Sequence, residues 1–312
     1  MIYVITINYN NSTETIDCLN SLKAVETEFK IIVIDNKSSI EDYSFLERYI
    51  EKEEKTAFLK NDSDSFVFDD QTHLLLIREH CNLGFAGGNN HGIQIARSQV
   101  DFEGALLLNN DTLVHPHFLD EIIQFRKTCD VADLIGGRIF YEDPGDVIWY
   151  DGGLFNRHIT KVSHINENKR LSQISTTSVP HETEFITGCL LFISKKCLDK
   201  TGLLDDSLFM YCEDLEYCIR AKEKGFTLYH VPTSIIWHKV SSSTGGVLSE
   251  FSAYWLIRNR FKVAHLHANY MDRILTLLFF VITRIHRFSK WFILGYTGTI
   301  KAQIRGMMDG LK

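Results

Sequence analysis

Two adjacent carboxylates, Glu213 and Asp214, have the residue types best suited to acid–base chemistry in this sequence. They begin a predicted helix over residues 213–224, which has one apolar face, basic residues near its end and Gly225 as its stop. The backbone N–H groups at a helix start favour the ionised form of a carboxylate. An ionised carboxylate can accept a proton from an attacking hydroxyl group. The alternative is that the pair only caps the helix.

Asp111 and His238 are candidate ligands for a divalent cation. Asp111 comes just after a predicted buried strand, where a carboxylate can reach a cation that bridges phosphate oxygens. His238 follows the apolar run Ile235-Ile236-Trp237, and its imidazole is a common metal ligand. The alternatives are a turn or helix cap for Asp111 and a packed, hydrogen-bonded side chain for His238.

Three polar segments follow predicted strands and could line one cleft: Asp35-Asn36, Asn109-Asn110-Asp111 and the glycine-rich residues 82–90. In an open α/β sheet such turns converge at the carboxyl ends of the strands, an arrangement that favours a nucleotide ligand. Residues 82–90 match neither the dinucleotide fingerprint nor the Walker loop. Their glycines predict either a tight turn before a helix or a phosphate cradle.

The elements that must position these residues alternate between strand and helix. Apolar runs and 3–4 spaced stripes predict this order along the chain: strand 2–7, helix 12–24 capped by Ser12 or Thr13, strand 30–34, helix 42–50, strand 73–78, helix 87–98, strand 105–108 and helix 116–129. Residues 51–72 are acidic and predict a surface excursion. The rest predicts strands 134–141, 147–152, 184–193, 226–231 and 234–237, with helices at 195–201 and 213–224. The sequence therefore predicts an α/β fold with a mainly parallel sheet.

Composition excludes several classes of protein. The chain has 312 residues, 45% hydrophobic and 23% charged, so it can bury a core and is neither disordered nor a small disulfide scaffold. Its formal charge of −7 argues against a general nucleic-acid binder. Seven cysteines without a C-x-x-C pair predict reduced thiols. No signal peptide is evident at the N-terminus, and a cytoplasmic location is expected.

Residues 251–312 form a basic, aromatic tail. They hold ten Lys and Arg against two Asp and Glu, a formal charge of +8, which leaves −15 for residues 1–250. The apolar run 274–283 is too short for a transmembrane helix. The tail predicts interfacial helices that dock on anionic lipid at the inner face of the cell membrane. The alternative is a helical pair packed on the preceding domain or on another subunit of a homo-oligomer.

Seven segments in this order resemble family-two glycosyltransferases, in particular the rhamnosyltransferase-like branch of bacterial surface polysaccharide synthesis. The segments cover about residues 1–245 and are 5–10, 32–38, 82–90, 107–111, 187–189, 209–214 and 236–238. The resemblance implies a GT-A fold, a Rossmann-like mixed sheet flanked by helices, with a C-terminal helical extension. It implies a catalytic domain over residues 1–250, followed by the tail.

The resemblance also implies an inverting hexosyltransferase that uses a nucleotide-diphosphate-sugar donor and Mg²⁺ or Mn²⁺. Asp214 matches the catalytic base, and Glu213 is its neighbour near the acceptor. Asp111 and His238 match the metal site. The implied substrate-binding residues are Asn8, Tyr9, Asp35, Asn36, Asn82, Gly84, Asn90, Asn109 and Asn110.

One position departs from the family pattern. Asn109 stands at the first position of the Asp-x-Asp motif that Asp111 ends, so one carboxylate remains. Mg²⁺ tolerates one or two carboxylates when phosphate oxygens and water complete its shell. We expect transfer of a sugar to a lipid-linked glycan of the O-antigen or capsule type, and rhamnose is the first candidate for that sugar. The alternatives are a nucleotidyltransferase that makes sugar nucleotides and a non-catalytic module that binds sugar nucleotides or glycans.

Overall fold

The computed structural model describes residues 1–60, 66–69, 71–175, 178–240 and 249–312. The strands within these residues are β1 (Ile2–Asn8), β2 (Lys30–Asp35), β3 (Thr56–Lys60), β4 (Leu74–Arg78), β5 (Gly104–Leu108), β6 (Thr112–Val114), β7 (Leu134–Tyr141), β8 (Ile148–Tyr150), β9 (Gly153–Asn156), β10 (Lys161–His164), β11 (His181–Thr183), β12 (Leu190–Ser194) and β13 (Leu228–His238). The helices are α1 (Ser12–Leu22), α2 (Ile40–Ile50), α3 (Gly84–Arg97), α4 (Phe118–Thr128), α5 (Lys195–Thr201), α6 (Glu213–Glu223), α7 (Glu250–His267), α8 (Tyr270–Ile293) and α9 (Thr297–Gly310).

A mixed sheet runs through the described residues in the order β11-β13-β7-β12-β5-β1-β2-β4-β3. Strand β6 pairs with β13, and strand β8 pairs with β7. Strands β9 and β10 form a separate hairpin. Strands β1 to β5 are parallel to one another, whereas β12 runs antiparallel between β5 and β7. The carboxyl ends of β1, β2, β5 and β13 and the start of β12 therefore meet at one edge.

The parallel half of the sheet confirms the predicted alternation of strands and helices. Strands β1, β2 and β5 are buried almost throughout, as expected for β-branched and leucine-rich strands that are covered on both faces. Helix α1 buries Cys18, Leu19 and Leu22 on the stripe that its spacing predicted. Its N-cap is Asn11 rather than Ser12 or Thr13.

Several strand boundaries differ from the sequence prediction. Within the expected surface excursion 51–72, residues 56–60 form β3, an edge strand parallel to β4; residues 61–65 and 70 lie outside the described residues. The expected strand 184–193 begins only at Leu190. The two segments expected at 226–231 and 234–237 form the single strand β13, because the register against β7 shifts between Val231 and Ile235 and absorbs Pro232.

The tail forms three helices rather than the pair considered from the sequence. Helix α9 packs closely on α7, where a Cβ on Gly310 would lie 2.2 Å from the Arg258 carbonyl oxygen. Helix α8 contacts the main body through a pair of hydroxyls, with Thr276 Oγ1 3.2 Å from Thr160 Oγ1. No helix in the described part of the chain combines the length and the hydropathy needed to span a bilayer.

Candidate active site

Asn8 and Asp35 lie side by side at the carboxyl ends of β1 and β2, and both are fully buried. Asn8 Nδ2 lies 2.9 Å from Asp35 Oδ1, 3.0 Å from Ser38 Oγ and 2.9 Å from Asp42 Oδ2. The Thr15 hydroxyl donates to Asn8 Oδ1 at 2.9 Å. Protein groups thus occupy both polar atoms of Asn8, which joins β1, β2, α1 and α2 beneath the cleft.

Burial raises the pKa of Asp35, against the hydrogen bonds from Ser38 and Asn8 and the charge of Arg78. Arg78 Nε lies 3.8 Å from Asp35 Oδ2, and its guanidinium covers the Tyr43 ring at 4.1 Å. A cleft of about 370 Å³ opens here, lined by Lys37, Ile40, Tyr43, Glu47, Arg78, Glu79 and His80. Tyr9, at the end of β1, has an exposed side chain. This end of the sheet therefore offers a charged wall and a free aromatic ring.

Asn36 clamps the start of the glycine-rich segment. Its Nδ2 donates to the Gly84 carbonyl at 2.8 Å, and its Oδ1 accepts from the Leu83 N–H at 3.1 Å. Asn82 Oδ1 accepts from the Gly84 N–H at 2.8 Å, which turns the chain into α3. Both side chains therefore set the path of this turn.

Two glycines of α3 allow close packing. Gly84 has φ +71°, and a Cβ there would lie 2.3 Å from the Phe209 carbonyl oxygen. A Cβ on Gly92 would lie 2.6 Å from Ile5 Cγ2. The predicted helix 87–98 starts earlier, at Gly84, so these glycines seat α3 against β1 and the loop that contains Phe209.

Asn90 is buried and faces the protein interior. Its Nδ2 donates to the Leu204 carbonyl at 2.9 Å, and its Oδ1 accepts from the Leu204 N–H at 3.0 Å. This double hydrogen bond ties α3 to the segment after α5. Both polar atoms of Asn90, which the resemblance placed among the substrate-binding residues, are thus hydrogen-bonded to Leu204.

Asp111 and His238 meet, as the resemblance implied. His238 Nε2 lies 3.0 Å from Asp111 Oδ1 and 3.5 Å from Asn109 Nδ2, and both Asp111 and His238 are buried. His238 Nδ1 is buried without a hydrogen-bond partner among the described residues. Asn110 points toward α1, where its Nδ2 donates to Thr15 Oγ1 at 2.9 Å.

The Asp111–His238 pair fits a cation only in part. Nowhere in the described ranges do three or more His, Cys, Asp or Glu side chains form a group able to hold a metal ion. One carboxylate, one imidazole and the Asn109 amide are nevertheless close together. This set suits a hard cation that takes its other ligands from a bound phosphate and water.

Glu213 and Asp214 start α6, but their surroundings differ. Glu213 is buried, and its Oε2 has no hydrogen-bond partner within the described residues. Asp214 is half-buried, and its two oxygens accept from the Gly188 N–H at 2.9 Å and the Leu215 N–H at 2.8 Å. Asp214 is therefore the more accessible of the two carboxylates and has the better-defined orientation.

The expectation that the helix start would favour ionised carboxylates here is wrong in its net effect. Burial and the adjacent Asp214 charge raise the pKa of Glu213 well above its ordinary value. Burial also raises the pKa of Asp214, although the N–H groups of Gly188 and Leu215 oppose the change. Desolvation therefore outweighs the helix start, and Asp214 becomes a stronger base than an exposed aspartate.

Two aromatic residues that the sequence analysis missed lie beside these groups. The Trp149 ring contacts the His238 ring at 4.7 Å and the His164 ring at 4.8 Å, both edge to face. His164 Nδ1 lies 2.9 Å from the Trp149 carbonyl, and burial lowers the pKa of His164. Their only signal was an alternating pattern in short strands, which marks no function.

Backbone contacts join the separate groups into one site. The Asn109 N–H donates to the Cys189 carbonyl at 3.1 Å, and the preceding residue, Gly188, holds Asp214. The Ala86 N–H donates to the Phe209 carbonyl at 3.2 Å, which connects the turn held by Asn36 to the loop before α6. The edge therefore brings together the turn held by Asn36, the Asp111–His238 pair and the Asp214 carboxylate.

Comparison with known proteins gives a consistent result. The sequence model of the family described as "Glycosyltransferase like family 2" matches residues 2–255. The chain is 24% identical over 263 residues to the low-salt glycan biosynthesis hexosyltransferase Agl10 of Haloferax volcanii, and the match covers 82% of each chain. It is 20% identical over 299 residues to the dTDP-rhamnosyl transferase RfbF of Shigella flexneri, covering 91% of this chain and 86% of that one.

A solved structure of GalNAc-T7 with UDP, GalNAc and Mn²⁺ has a TM-score of 0.63 at 14% identity. The match covers 87% of this chain and 49% of GalNAc-T7, so the chain spans about half the length of that protein. At this identity the likeness concerns the fold, including the mixed, mainly parallel sheet flanked by helices.

Proposed function

This chain belongs to glycosyltransferase-like family 2 and has the predicted GT-A fold with C-terminal helices, and from that premise we propose the reaction that it performs. It moves a sugar from a nucleotide-diphosphate-sugar to a hydroxyl of a growing, lipid-linked glycan in bacterial O-antigen or capsule synthesis. Rhamnose is the first candidate for that sugar. The observation that supports this proposal most is the Asp214 carboxylate, aligned by the Gly188 N–H at 2.9 Å. The family match favours a glycosyltransferase over the two alternatives, a nucleotidyltransferase and a non-catalytic binding module.

The proposed chemistry is a single displacement with inversion. The acceptor oxygen forms a bond to the anomeric carbon while the bond from that carbon to the diphosphate oxygen breaks. The hydroxyl proton goes to Asp214, whose raised pKa strengthens it as a base, and the nucleoside diphosphate leaves. Glu213 adjoins this base from the buried side, where its carboxyl group has one oxygen without a partner among the described residues.

The donor would occupy the edge formed by β1, β2 and β5. Tyr9 offers an exposed ring to the nucleoside, and Arg78, held from below by the buried Asp35, lines the cleft beside it. Asn8, Asn36 and Asn82 act through the turns that they hold, and Gly84 and Asn90 through the seating of α3. The RfbF name, a dTDP-rhamnosyl transferase, supports rhamnose as the first sugar to test.

Asp111 and His238, with Asn109 beside them, would hold Mg²⁺ or Mn²⁺. When bound, such a cation neutralises the charge that develops on the departing diphosphate. The Mn²⁺ in the GalNAc-T7 structure supports this choice. Asn109 in place of a second carboxylate predicts modest affinity for the metal in the absence of nucleotide.

Binding measurements test the proposal directly. Calorimetry with UDP, GDP, dTDP and their sugars, each with Mn²⁺, Mg²⁺ or EDTA, should find one nucleotide whose binding requires the metal. Asp111→Ala should abolish that metal dependence. Asp199→Ala, which removes an exposed carboxylate paired with Arg97 on the surface, is the matched control and should bind normally. Absence of binding under every condition would refute the proposal.

We further propose that α8 docks the enzyme on the inner face of the cell membrane. A stripe along one side of α8 leaves its apolar residues exposed at spacings of four and three: Met271, Leu275, Leu278, Ile282 and Ile285. The opposite side packs on the protein through Asp272, Thr276 and Phe280. The +8 charge of residues 251–312 complements anionic lipid, and the seven free cysteines suit a reducing compartment.

Vesicle sedimentation tests the membrane proposal. The protein should bind phosphatidylglycerol vesicles more tightly than phosphatidylcholine vesicles, and the double substitution Leu278→Asn with Ile282→Asn should remove binding. Val131→Asn, which replaces an exposed apolar residue between α4 and β7, is the control. If the protein does not bind vesicles but forms dimers through this stripe, the membrane proposal is wrong and the stripe is the interface of a homo-oligomer.

A further inference from the structure

Asn259 lies on α7, in the basic tail, yet its side chain is fully buried against the loop that precedes Glu213 and Asp214. Asn259 Nδ2 lies 2.6 Å from the Leu208 carbonyl oxygen, 2.8 Å from that of Met210 and 2.8 Å from that of Tyr211. Three carbonyl groups of one loop therefore converge on one amide.

The loop held by Asn259 has an unusual backbone. Phe209, Tyr211 and Cys212 have φ values of +60°, +69° and +68°, and none of them is glycine. Side chains with a Cβ rarely adopt this region, so such a conformation persists only where surrounding contacts impose it. Cys212 is the N-cap of α6, and its side chain makes no capping hydrogen bond among the described residues, so the backbone path of this loop leads directly into the first turn of α6.

Other residues of α7 reinforce the same contact. Arg258 Nη1 donates to Asn259 Oδ1 at 2.7 Å and to the Ser207 carbonyl at 2.9 Å, which fixes the orientation of the amide. The Trp255 ring stacks on the Phe209 ring at 4.9 Å. Tyr211 and Ser252 share a hydroxyl contact at 3.0 Å. One face of α7 is therefore built around this loop.

We infer that Asn259 is a positioning residue for Asp214, which makes α7 part of the catalytic apparatus rather than only of a membrane tail. This inference depends on the proposed role of Asp214 as the base. Asn259 holds residues 208–211, that loop fixes the start of α6, and the start of α6 aims the Asp214 carboxylate at the Gly188 N–H. Since Phe209 also abuts Gly84, the same clamp sets the distance between the base and the donor side.

Two variants test the inference. Asn259→Ala removes the amide, and Arg258→Met keeps the aliphatic stem but removes the group that orients the amide, in case the first variant does not fold. Asn269→Ala is the matched control, because Asn269 lies in the same tail and caps α8 through the Asp272 N–H without touching the loop.

The readout is hydrolysis of dTDP-rhamnose, or of the nucleotide sugar that binds, with water replacing the acceptor hydroxyl. We expect kcat to fall about tenfold to 100-fold in Asn259→Ala, with KM for the donor unchanged, because a misaligned base slows only the chemical step. The acid limb of the kcat profile should move to lower pH as water reaches Asp214. A merely structural residue would lower the folded fraction and leave this limb in place.

Hydrogen exchange provides a readout that does not depend on activity. Amides of residues 209–216 should exchange faster in Asn259→Ala and Arg258→Met and stay protected in Asn269→Ala. Wild-type kcat, an unmoved acid limb or unchanged exchange in the folded variants would overturn the inference. Failure of wild-type protein to bind or hydrolyse any nucleotide sugar would instead refute the proposed function, and exchange would still decide whether Asn259 holds the loop.

Discussion

Asp151 and the Glu213–Asp214 pair are carboxylates whose surroundings differ. Asp151 accepts from Arg138 Nε at 2.7 Å, His230 Nε2 at 3.0 Å and Asn166 Nδ2 at 2.9 Å. Burial alone would raise the pKa of Asp151, but these three hydrogen bonds outweigh it and lower that pKa to about 2. Glu213 is buried as well and Asp214 is half-buried, yet both have raised pKa values. The difference lies in the partners rather than in burial.

A carboxylate whose oxygens are all satisfied by cations and amides stabilises the fold and has little capacity left for a proton. A carboxylate that is buried with fewer partners destabilises the fold in its ionised form and binds a proton readily. The Asp151 cluster therefore has the features of a structural centre, and the Glu213–Asp214 pair has those of a reactive one. Each of the following predictions tests one side of that contrast.

The largest effect is expected on the transfer rate when Asp214, in the Glu213–Asp214 pair, is replaced. Asp214→Asn keeps the shape of the side chain and removes the proton acceptor, so the transfer rate should fall by about 10²–10⁴-fold. Nucleotide affinity, measured by calorimetry, should stay at the wild-type value. Asp151→Asn is the control and should keep the wild-type rate per folded molecule. Equal rate losses in both variants would contradict the distinction between a structural Asp151 and a reactive Asp214.

The next effect is expected in stability. Asp151→Ala leaves the buried Arg138 guanidinium without its carboxylate, so unfolding in urea should require about 3–5 kcal/mol less free energy. Asp199→Ala, on the surface, should change the free energy of unfolding by less than about 0.5 kcal/mol. A loss below about 1 kcal/mol for Asp151→Ala would mean that the cluster is not a structural centre.

The pH dependence of stability separates the two groups further. The pKa of Asp151 is about 2 in the folded state against 3.8 in the unfolded chain. The unfolded state therefore binds more protons between these values, and about 2 kcal/mol of stability, present above pH 4, is lost as the pH falls toward 2. Urea titrations of wild type and Asp151→Asn over this range should converge at the acid end. Parallel curves would contradict the assignment.

The fold was predictable where local pattern decides it. Strands β1 and β2 are short β-branched runs, and α1 shows its stripe directly, so the parallel half followed from the sequence. Strand β3 did not, because TAFLK is short and lies between polar segments, and only pairing with β4 makes it a strand. Helix α6 had an apolar face, acidic start and basic end that agreed, and its boundaries matched within one residue.

The site was predictable only in part. The resemblance implied that Asp111 and His238 share one site, and His238 Nε2 lies 3.0 Å from Asp111 Oδ1. It could not reveal that the amides of Asn8 and Asn90 bind other parts of the protein, because the sequence does not show which groups an asparagine side chain faces. Asn259 gave no signal, since its partners are backbone carbonyls about fifty residues away and carry no side-chain pattern.

The smallest effect is expected from Glu213→Gln, and it has the opposite sign from that of Asp151. The pKa of Glu213 is raised in the folded state, so above its ordinary value of 4.5 the folded protein holds a proton that the unfolded chain has lost. Stability therefore falls as the pH rises above 4.5, and glutamine, which does not ionise, avoids this loss. The variant should be more stable than wild type by about 1 kcal/mol at pH 7, and this advantage should vanish below pH 4.5.

The control for Glu213→Gln is Glu223→Gln, at the exposed end of the same helix, which should change the free energy of unfolding by less than about 0.5 kcal/mol at either pH. Thermal unfolding at pH 4 and pH 7 measures both variants. A Glu213→Gln protein that is less stable than wild type at pH 7 would mean that the buried carboxylate is paired, and the contrast with Asp151 would then fail. A stabilised variant with a reduced transfer rate would show that this site keeps a buried ionisable group at the expense of stability, as expected of residues selected for reaction rather than for folding.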